Sequence, residues 1–154
     1  MKLEIGKASP LFSLSSDEGE ISLSDLKGKN VVLYFYPKDD TPGCTIEAQD
    51  FAKKSDEFAK LDAVVLGISK DSVESHCKFI NKYKLNFNLL SDSDGEVCEK
   101  YGVIKEKSMF GKKYFGIDRS TFLIDKLGKI SHIWTSVKVN GHVEEVLTVL
   151  KSKN

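Results

Sequence analysis

Short apolar runs alternate along the chain with stretches whose apolar residues recur every three or four positions. "VVLYFY" (31–36) and "AVVLGIS" (63–69) are nearly continuous apolar runs, the pattern of strands covered on both faces. "FNLL" (87–90), "TFLID" (121–125) and "ISHIWTS" (130–136) are shorter runs that read as further strands. Between them, residues 44–61 carry Ala48, Phe51, Ala52, Phe58 and Ala59 at helical spacing, which predicts one helix. Residues 72–84 put Val73, Cys77, Ile80 and Tyr83 on one stripe, so Cys77 is expected to face the core. "DSDGEVCEKYG" predicts a short helix over 95–101 stopped by Gly102, and "GHVEEVLTVLKSK" predicts a C-terminal helix.

The order is β-α-β-α-β-α, then two strands, then α. The Gly-containing turn in "DKLGK" (125–129) joins the last two strands as a hairpin. The expectation is an α/β protein with a mixed central sheet flanked by helices, forming a single domain over 1–154.

Composition narrows the partners. With 40% of 154 residues apolar, the chain can bury a sizeable core unaided. Lysine plus arginine, 23, balances aspartate plus glutamate, 23, which argues against nucleic acid or an anionic membrane as partner. The local exception, "KEKSMFGKKYF" (105–115), sets lysines among aromatics and reads as a solvated loop. "MKLEIGKASPLFSL" has no apolar segment of secretory type, and no run approaches the ~20 apolar residues of a membrane span. Cys44, Cys77 and Cys98 are odd in number and include no CxxC, unlike a disulfide scaffold. The chain reads as cytoplasmic, with its thiols reduced.

Cys44 follows Thr41-Pro42-Gly43, directly after a buried strand and at the start of a helix. The first amides of a helix lack intrahelical acceptors, and the positive end of the macrodipole favours an anion. A thiolate is stabilised there, which makes Cys44 a candidate nucleophile.

Pro37, Thr41 and Cys44 stand as P-x-x-x-T-x-x-C, and this resembles the active-site signature of peroxiredoxins. "YFYPKDDTPGCTIEA" is similar, more narrowly, to the bacterioferritin comigratory protein (BCP/PrxQ) subfamily. The likeness extends through "ASPLFSL", "ISLSDLKGKNVVLYFYP", "LLSDSDGEVCEKYGV" and "GIDRSTFLIDKLGKI". It implies a thioredoxin-like fold and thiol-dependent reduction of hydrogen peroxide and organic hydroperoxides. The resemblance makes Cys44 the peroxidatic cysteine, has Thr41 donate or relay a hydrogen bond to the peroxide, and has Pro37 shape and shield the pocket. Arg119 matches the active-site arginine of the family, and Glu47 the acidic residue that orients it. Arg119 is also the chain's only arginine.

Ionisation of the thiol cannot supply the rate alone. An ordinary thiol is a few per cent ionised near neutral pH, so complete ionisation gains about thirtyfold at most. Donors aimed at the charge moving onto the departing oxygen must supply more, each worth about 10²–10³ in rate.

The pattern breaks at recycling. Where many relatives carry a resolving cysteine five residues after the first, this chain has Gln49. Cys77 lies in the helix that bears the resolving thiol of other members, although the resemblance puts that position about a turn further on, near Ile80. Cys98 reads as packing. The expectation is a one-cysteine enzyme recycled by thioredoxin, glutaredoxin or a small thiol, with resolution by Cys77 as the alternative. A monomer is implied, and no cofactor. Two other readings compete: a cysteine hydrolase drawing on His76, His132 or His142, and a non-enzymatic redox-sensing module built on Cys44. "DSDG" (92–95) resembles the start of a calcium loop, but Asp92 or Asp94 as a helix cap explains it.

Overall fold

A computed structural model describes residues 3–153. Strands β1 (Ser13–Ser16) and β2 (Gly19–Ser22) form a hairpin, followed by a 3-10 turn (Leu23–Leu26) and β3 (Asn30–Phe35). Then come helices α1 (Pro42–Lys53) and α2 (Ser55–Lys60), β4 (Ala63–Ser69), α3 (Val73–Tyr83), β5 (Asn88–Ser91) and α4 (Glu96–Lys100). A second hairpin, β6 (Ile104–Met109) and β7 (Lys112–Ile117), leads into β8 (Ser120–Ile124), β9 (Ile130–Trp134) and α5 (His142–Lys153).

The main sheet runs β2-β1-β5-β4-β3-β8-β9. Strands β3, β4 and β5 are parallel, and the remaining pairs are antiparallel, so the sheet is mixed as expected. Every residue of β3 is buried, and alternate side chains serve two cores. Val32 and Tyr34 join Cys44, Ala48 and Phe51 of α1, Phe79 of α3 and Val146 of α5 on one side. Val31, Leu33 and Phe35 meet Val97, Cys98, Tyr101 and Ile117 on the other. That two-sided burial is why the strand is written as an unbroken apolar run.

Antiparallel register fixes the functional end of the sheet. Phe35, the last residue of β3, pairs with Ser120, the first of β8. Arg119 therefore lies just beyond the end of β3, where the loop toward α1 departs.

Several expectations need correcting. The single helix over 44–61 is two helices, divided at Lys54, whose non-helical backbone (φ −100°, ψ 8°) turns the chain. The division lets Phe51 and Phe58 enter the same core. On α3 the buried residues are His76 and Phe79, with Ile80 and Tyr83 packed alongside, while Cys77 is half-buried and belongs to neither core. The helix is thus rotated from the Val73–Cys77 stripe, because His76 finds polar partners inside. Residues 105–115 are a regular hairpin, not a loop. It turns at Phe110 and Gly111, both with positive φ, as tight two-residue hairpins require. Only its base, Ile104 and Ile117, reaches the core, and Phe110 at the tip is 98% exposed. Asp92 and Asp94 cap α4: Asp92 accepts from the amides of Val97 and Cys98, and Asp94 from that of Glu96. No helix among the described residues is long and apolar enough to cross a membrane.

Gly67, in the middle of β4, lies under the ring of Tyr34. A Cβ there would sit 2.7 Å from Leu89 Cδ2 and 2.9 Å from Tyr34 Cζ. Both neighbours are fully buried and cannot yield freely. Gly67→Ala is expected to destabilise the fold by about 1–3 kcal/mol through overpacking. Urea unfolding of the variant beside the unsubstituted chain measures this, and an unchanged midpoint would show that Tyr34 can move.

Candidate active site

Helix α1 starts at Pro42, where a residue without N–H is at no disadvantage and the ring presets the helical φ. Thr41, extended at φ −101° and ψ 156°, occupies the N-cap position but makes no side-chain cap. Its hydroxyl donates instead to the carbonyl of Lys38 at 2.9 Å. The first bond of the helix runs from the Thr45 amide to the Thr41 carbonyl at 2.8 Å. The amides of Gly43 and Cys44 precede that bond and have no acceptor within the helix, which leaves the positive end of α1 open to an anion.

Cys44 sits in this first turn, 2% exposed. One turn later Glu47 is completely buried on the same face. Arg119 reaches both from beyond β3. Its Nη2 donates to Cys44 Sγ at 3.3 Å, and its Nη1 donates to Glu47 Oε1 at 2.7 Å. The fork of the guanidinium allows the two contacts at once, which a lysine ammonium could not hold in one plane. Gly43 makes room for it, since a Cβ there would lie 3.2 Å from Arg119 Nη2. The arginine's own backbone is pinned: its carbonyl accepts from the Val137 amide at 2.9 Å. Asp118 alongside accepts from the amide and hydroxyl of Ser136.

Electrostatics in the pocket are contested. Burial drives the Glu47 carboxyl upward and Arg119 pulls it back; burial prevails, and the group is raised from 4.5 to about 7. Burial also opposes the charge on Arg119, but Glu47 and Cys44 outweigh it and hold the guanidinium above its usual value. Glu47 Oε2 and the Tyr34 hydroxyl are both buried without a hydrogen-bond partner. Burial, and then the charge of Glu47, lifts the Tyr34 phenol well above the usual range.

The structure thus brings Cys44, Glu47 and Arg119 into contact and puts Thr41 at the mouth of the helix. Pro37 follows buried Tyr36 and is itself exposed. Cys77 is half-buried on α3 and Cys98 is fully buried, where burial and then Asp92 push its thiol far up, the condition of an inert thiol. No histidine pairs with Cys44 among the described residues. His76 is held by Asp39 and the Leu90 carbonyl, and His142 faces the Thr121 hydroxyl at 2.8 Å. Burial lowers His142 to about 4. His132 packs against Trp134 of β9, ring centroids 4.2 Å apart, so no histidine base meets Cys44 among the described residues.

Reading the sequence missed Asp39 and the role of His76. Asp39 is buried, accepts from Ser75 Oγ at 2.7 Å and pairs with His76 Nδ1 at 2.7 Å. A "KDD" inside a loop offers no periodicity, so nothing distinguishes the inward Asp39 from the outward Asp40.

Comparison with known proteins follows the same lines. The AhpC/TSA family model matches residues 5–133. The chain is 60% identical over 148 residues to a putative peroxiredoxin bcp of Coxiella burnetii, covering 96% of this chain and 98% of that one. It is 53% identical over 152 residues to peroxiredoxin Bcp of Bacillus subtilis, covering 98% and 97%. Among solved structures, the bacterioferritin comigratory protein of Xanthomonas campestris, studied for its alkyl peroxide reduction activity, superposes with a TM-score of 0.91. It is 42% identical and the match covers 97% of this chain and 99% of that one. The fold is accordingly thioredoxin-like.

The raised carboxyl makes stability depend on pH with a definite sign. Below 4.5 Glu47 is protonated whether the chain is folded or unfolded; between 4.5 and about 7 only the folded chain keeps the proton. Raising the pH through that interval therefore removes stability. Urea midpoints at pH 5 and pH 8 are expected to show this loss in the unsubstituted chain and much less of it in Glu47→Gln. Equal slopes in the two would mean that Glu47 ionises normally.

Proposed function

This chain belongs to the AhpC/TSA family and, within it, to the Bcp/PrxQ peroxiredoxins, which are thiol-dependent peroxidases, and on that premise we propose that Cys44 reduces hydroperoxides without a second protein thiol of its own. The observation that carries this reading is the Arg119 bridge between Cys44 Sγ and Glu47.

In the proposed reaction the Cys44 thiolate attacks the terminal oxygen of ROOH in line with the O–O bond. The S–O bond forms, the O–O bond breaks, the peroxide's hydrogen stays on the oxygen now bound to sulfur, and the departing RO⁻ takes a proton from solvent to leave as ROH. Sulfur is oxidised to sulfenic acid while the peroxide is reduced. Arg119 and the free amides of Gly43 and Cys44 face the charge as it moves from sulfur to oxygen. Because the Thr41 hydroxyl donates to the Lys38 carbonyl, its oxygen is left to accept a hydrogen bond from the peroxide O–H. Thr41 in this scheme orients the peroxide by accepting. Glu47 keeps the guanidinium facing the sulfur, and Pro37 ends the strand and starts the loop.

Recycling then needs an external thiol. Gln49 stands where a nearby partner would be, and Cys98 is sealed in the opposite core. Thioredoxin, glutaredoxin or a small thiol would form the mixed disulfide with release of water, and a second thiol would restore Cys44. The half-exposure of Cys77 supports a second reading, in which Cys77 takes that first role. The substrates proposed are hydrogen peroxide and alkyl hydroperoxides, the latter as in the Xanthomonas relative.

Cys44→Ser is expected to abolish peroxide turnover. Arg119→Lys should lower the rate of Cys44 oxidation by about 10²–10³, the value of one well-placed donor. Mass spectrometry after peroxide treatment without reductant separates the recycling routes. Cys44 sulfinic acid supports the one-cysteine route; a Cys44–Cys77 disulfide would overturn it. Stoichiometric oxidation with no turnover by any thiol would leave a redox sensor in place of an enzyme.

A further inference from the structure

Outside the site, a dense buried polar cluster lies between the 37–41 loop and α3. Asp39 accepts hydrogen bonds from Tyr36 OH and, at 2.7 Å, from Ser75 Oγ, and its Oδ2 pairs with His76 Nδ1 at 2.7 Å. The His76 and Asp39 side chains are 0% and 4% exposed. His76 Nε2 donates to the Leu90 carbonyl of β5 at 2.9 Å. The Asp39 amide donates to Asp71 Oδ2 at 2.8 Å, and Asp71 is itself held by Ser69 Oγ at 2.7 Å. The neighbouring Asp40, in the left-handed region at φ +55°, is gripped from the same helix by Lys82 Nζ at 2.8 Å and Tyr83 OH at 2.7 Å. Two consecutive loop residues are therefore tied to α3 from inside and outside.

We infer that His76 is a positioning residue for peroxide reduction, acting through Asp39 to fix the loop that carries Thr41 and opens the Cys44 helix. The inference rests on the peroxidase reading of Cys44. A sealed polar pair yields little net stability over apolar residues of the same shape, so its consequence here is geometric. Thr41 is hydrogen-bonded to Lys38, the residue before Asp39, so a displaced Asp39 displaces Thr41 and the free amides with it. Displacement of about 1 Å at reacting groups can cost about 10²-fold in rate. His76 Nδ1 faces Asp39 and, at 3.4 Å, Tyr36 OH, while Nε2 faces β5, so its influence on Cys44 passes through these partners.

Three substitutions separate positioning from bulk stability. In His76→Asn the amide nitrogen can occupy the place of Nδ1 and still donate to Asp39. His76→Gln can reach the Leu90 carbonyl instead, and His76→Phe keeps the volume with neither bond. The second-order rate of Cys44 oxidation by hydrogen peroxide is measured below the melting range, with amide hydrogen exchange of residues 38–45 alongside. The expected result is an Asn variant within about threefold of the unsubstituted chain, and Gln and Phe variants about 10–100-fold slower with faster exchange. Should the Phe variant fail to fold, Ser75→Ala removes another donor to Asp39 and is expected to slow oxidation in the same direction. Folded Gln and Phe variants that react at the full rate, or an Asn variant as slow as Gln, would overturn the inference while leaving the peroxidase intact. No reaction of the unsubstituted Cys44 with peroxide would instead bring down the peroxidase reading, and this inference with it.

Discussion

The site depends on one guanidinium placed between a sulfur and a carboxylate. Cys44 and Glu47 come from the first turns of α1, whereas Arg119 comes from the start of β8, 75 residues beyond Cys44. No local rule brings them together. The antiparallel pairing of β8 with β3 does, because opposing Ser120 to Phe35 leaves Arg119 at the strand end where α1 begins. Gly43 leaves the guanidinium room to settle against the helix, since a Cβ there would press on its Nη2 at 3.2 Å. Glu47 is the destabilising member, a buried carboxyl with one oxygen unpaired. Its burial outweighs the attraction of Arg119, so the acid that aligns the arginine is itself near its midpoint around neutral pH. A surface carboxylate would stay ionised more easily but could not follow Arg119 into the pocket.

Much of this was legible in the chain because the physical signals were local. The two-sided burial of β3 is written in its apolar run and the helix start in Thr41-Pro42-Gly43, whereas Arg119 and Glu47 were singled out by the resemblance to peroxiredoxins. What stayed hidden was set by tertiary contacts. The β1–β2 hairpin is built largely from serines and acidic residues, with Leu14 and Ile21 half-buried, and it gains its order by pairing with β5. The β6–β7 hairpin is nearly all solvent-facing, so no alternation marked it as strand. The error on α3 is the instructive one. Hydrophobic spacing favours Cys77 as the inward residue, but the helix buries His76, because Asp39 and the Leu90 carbonyl satisfy both ring nitrogens. A polar residue with partners waiting inside outranks an apolar one without them, and the partners lie on other segments.

The same tethering bears on how the oxidised sulfur is recycled. The ties from Asp39 and Asp40 to α3, with that from Thr41 to Lys38, fix the loop that leads into the Cys44 helix. Reduction of the sulfenic acid wants the opposite, since Cys44 is almost wholly buried and a thiol must approach its sulfur in line. Cys77 sits on α3 beside the His76 that holds Asp39, so its place is coupled to the same ties. Pro42-Gly43, in turn, is where α1 has no intrahelical amide bonds to break. The contacts that fix the loop before Cys44 thus also fix the helix that carries Cys77.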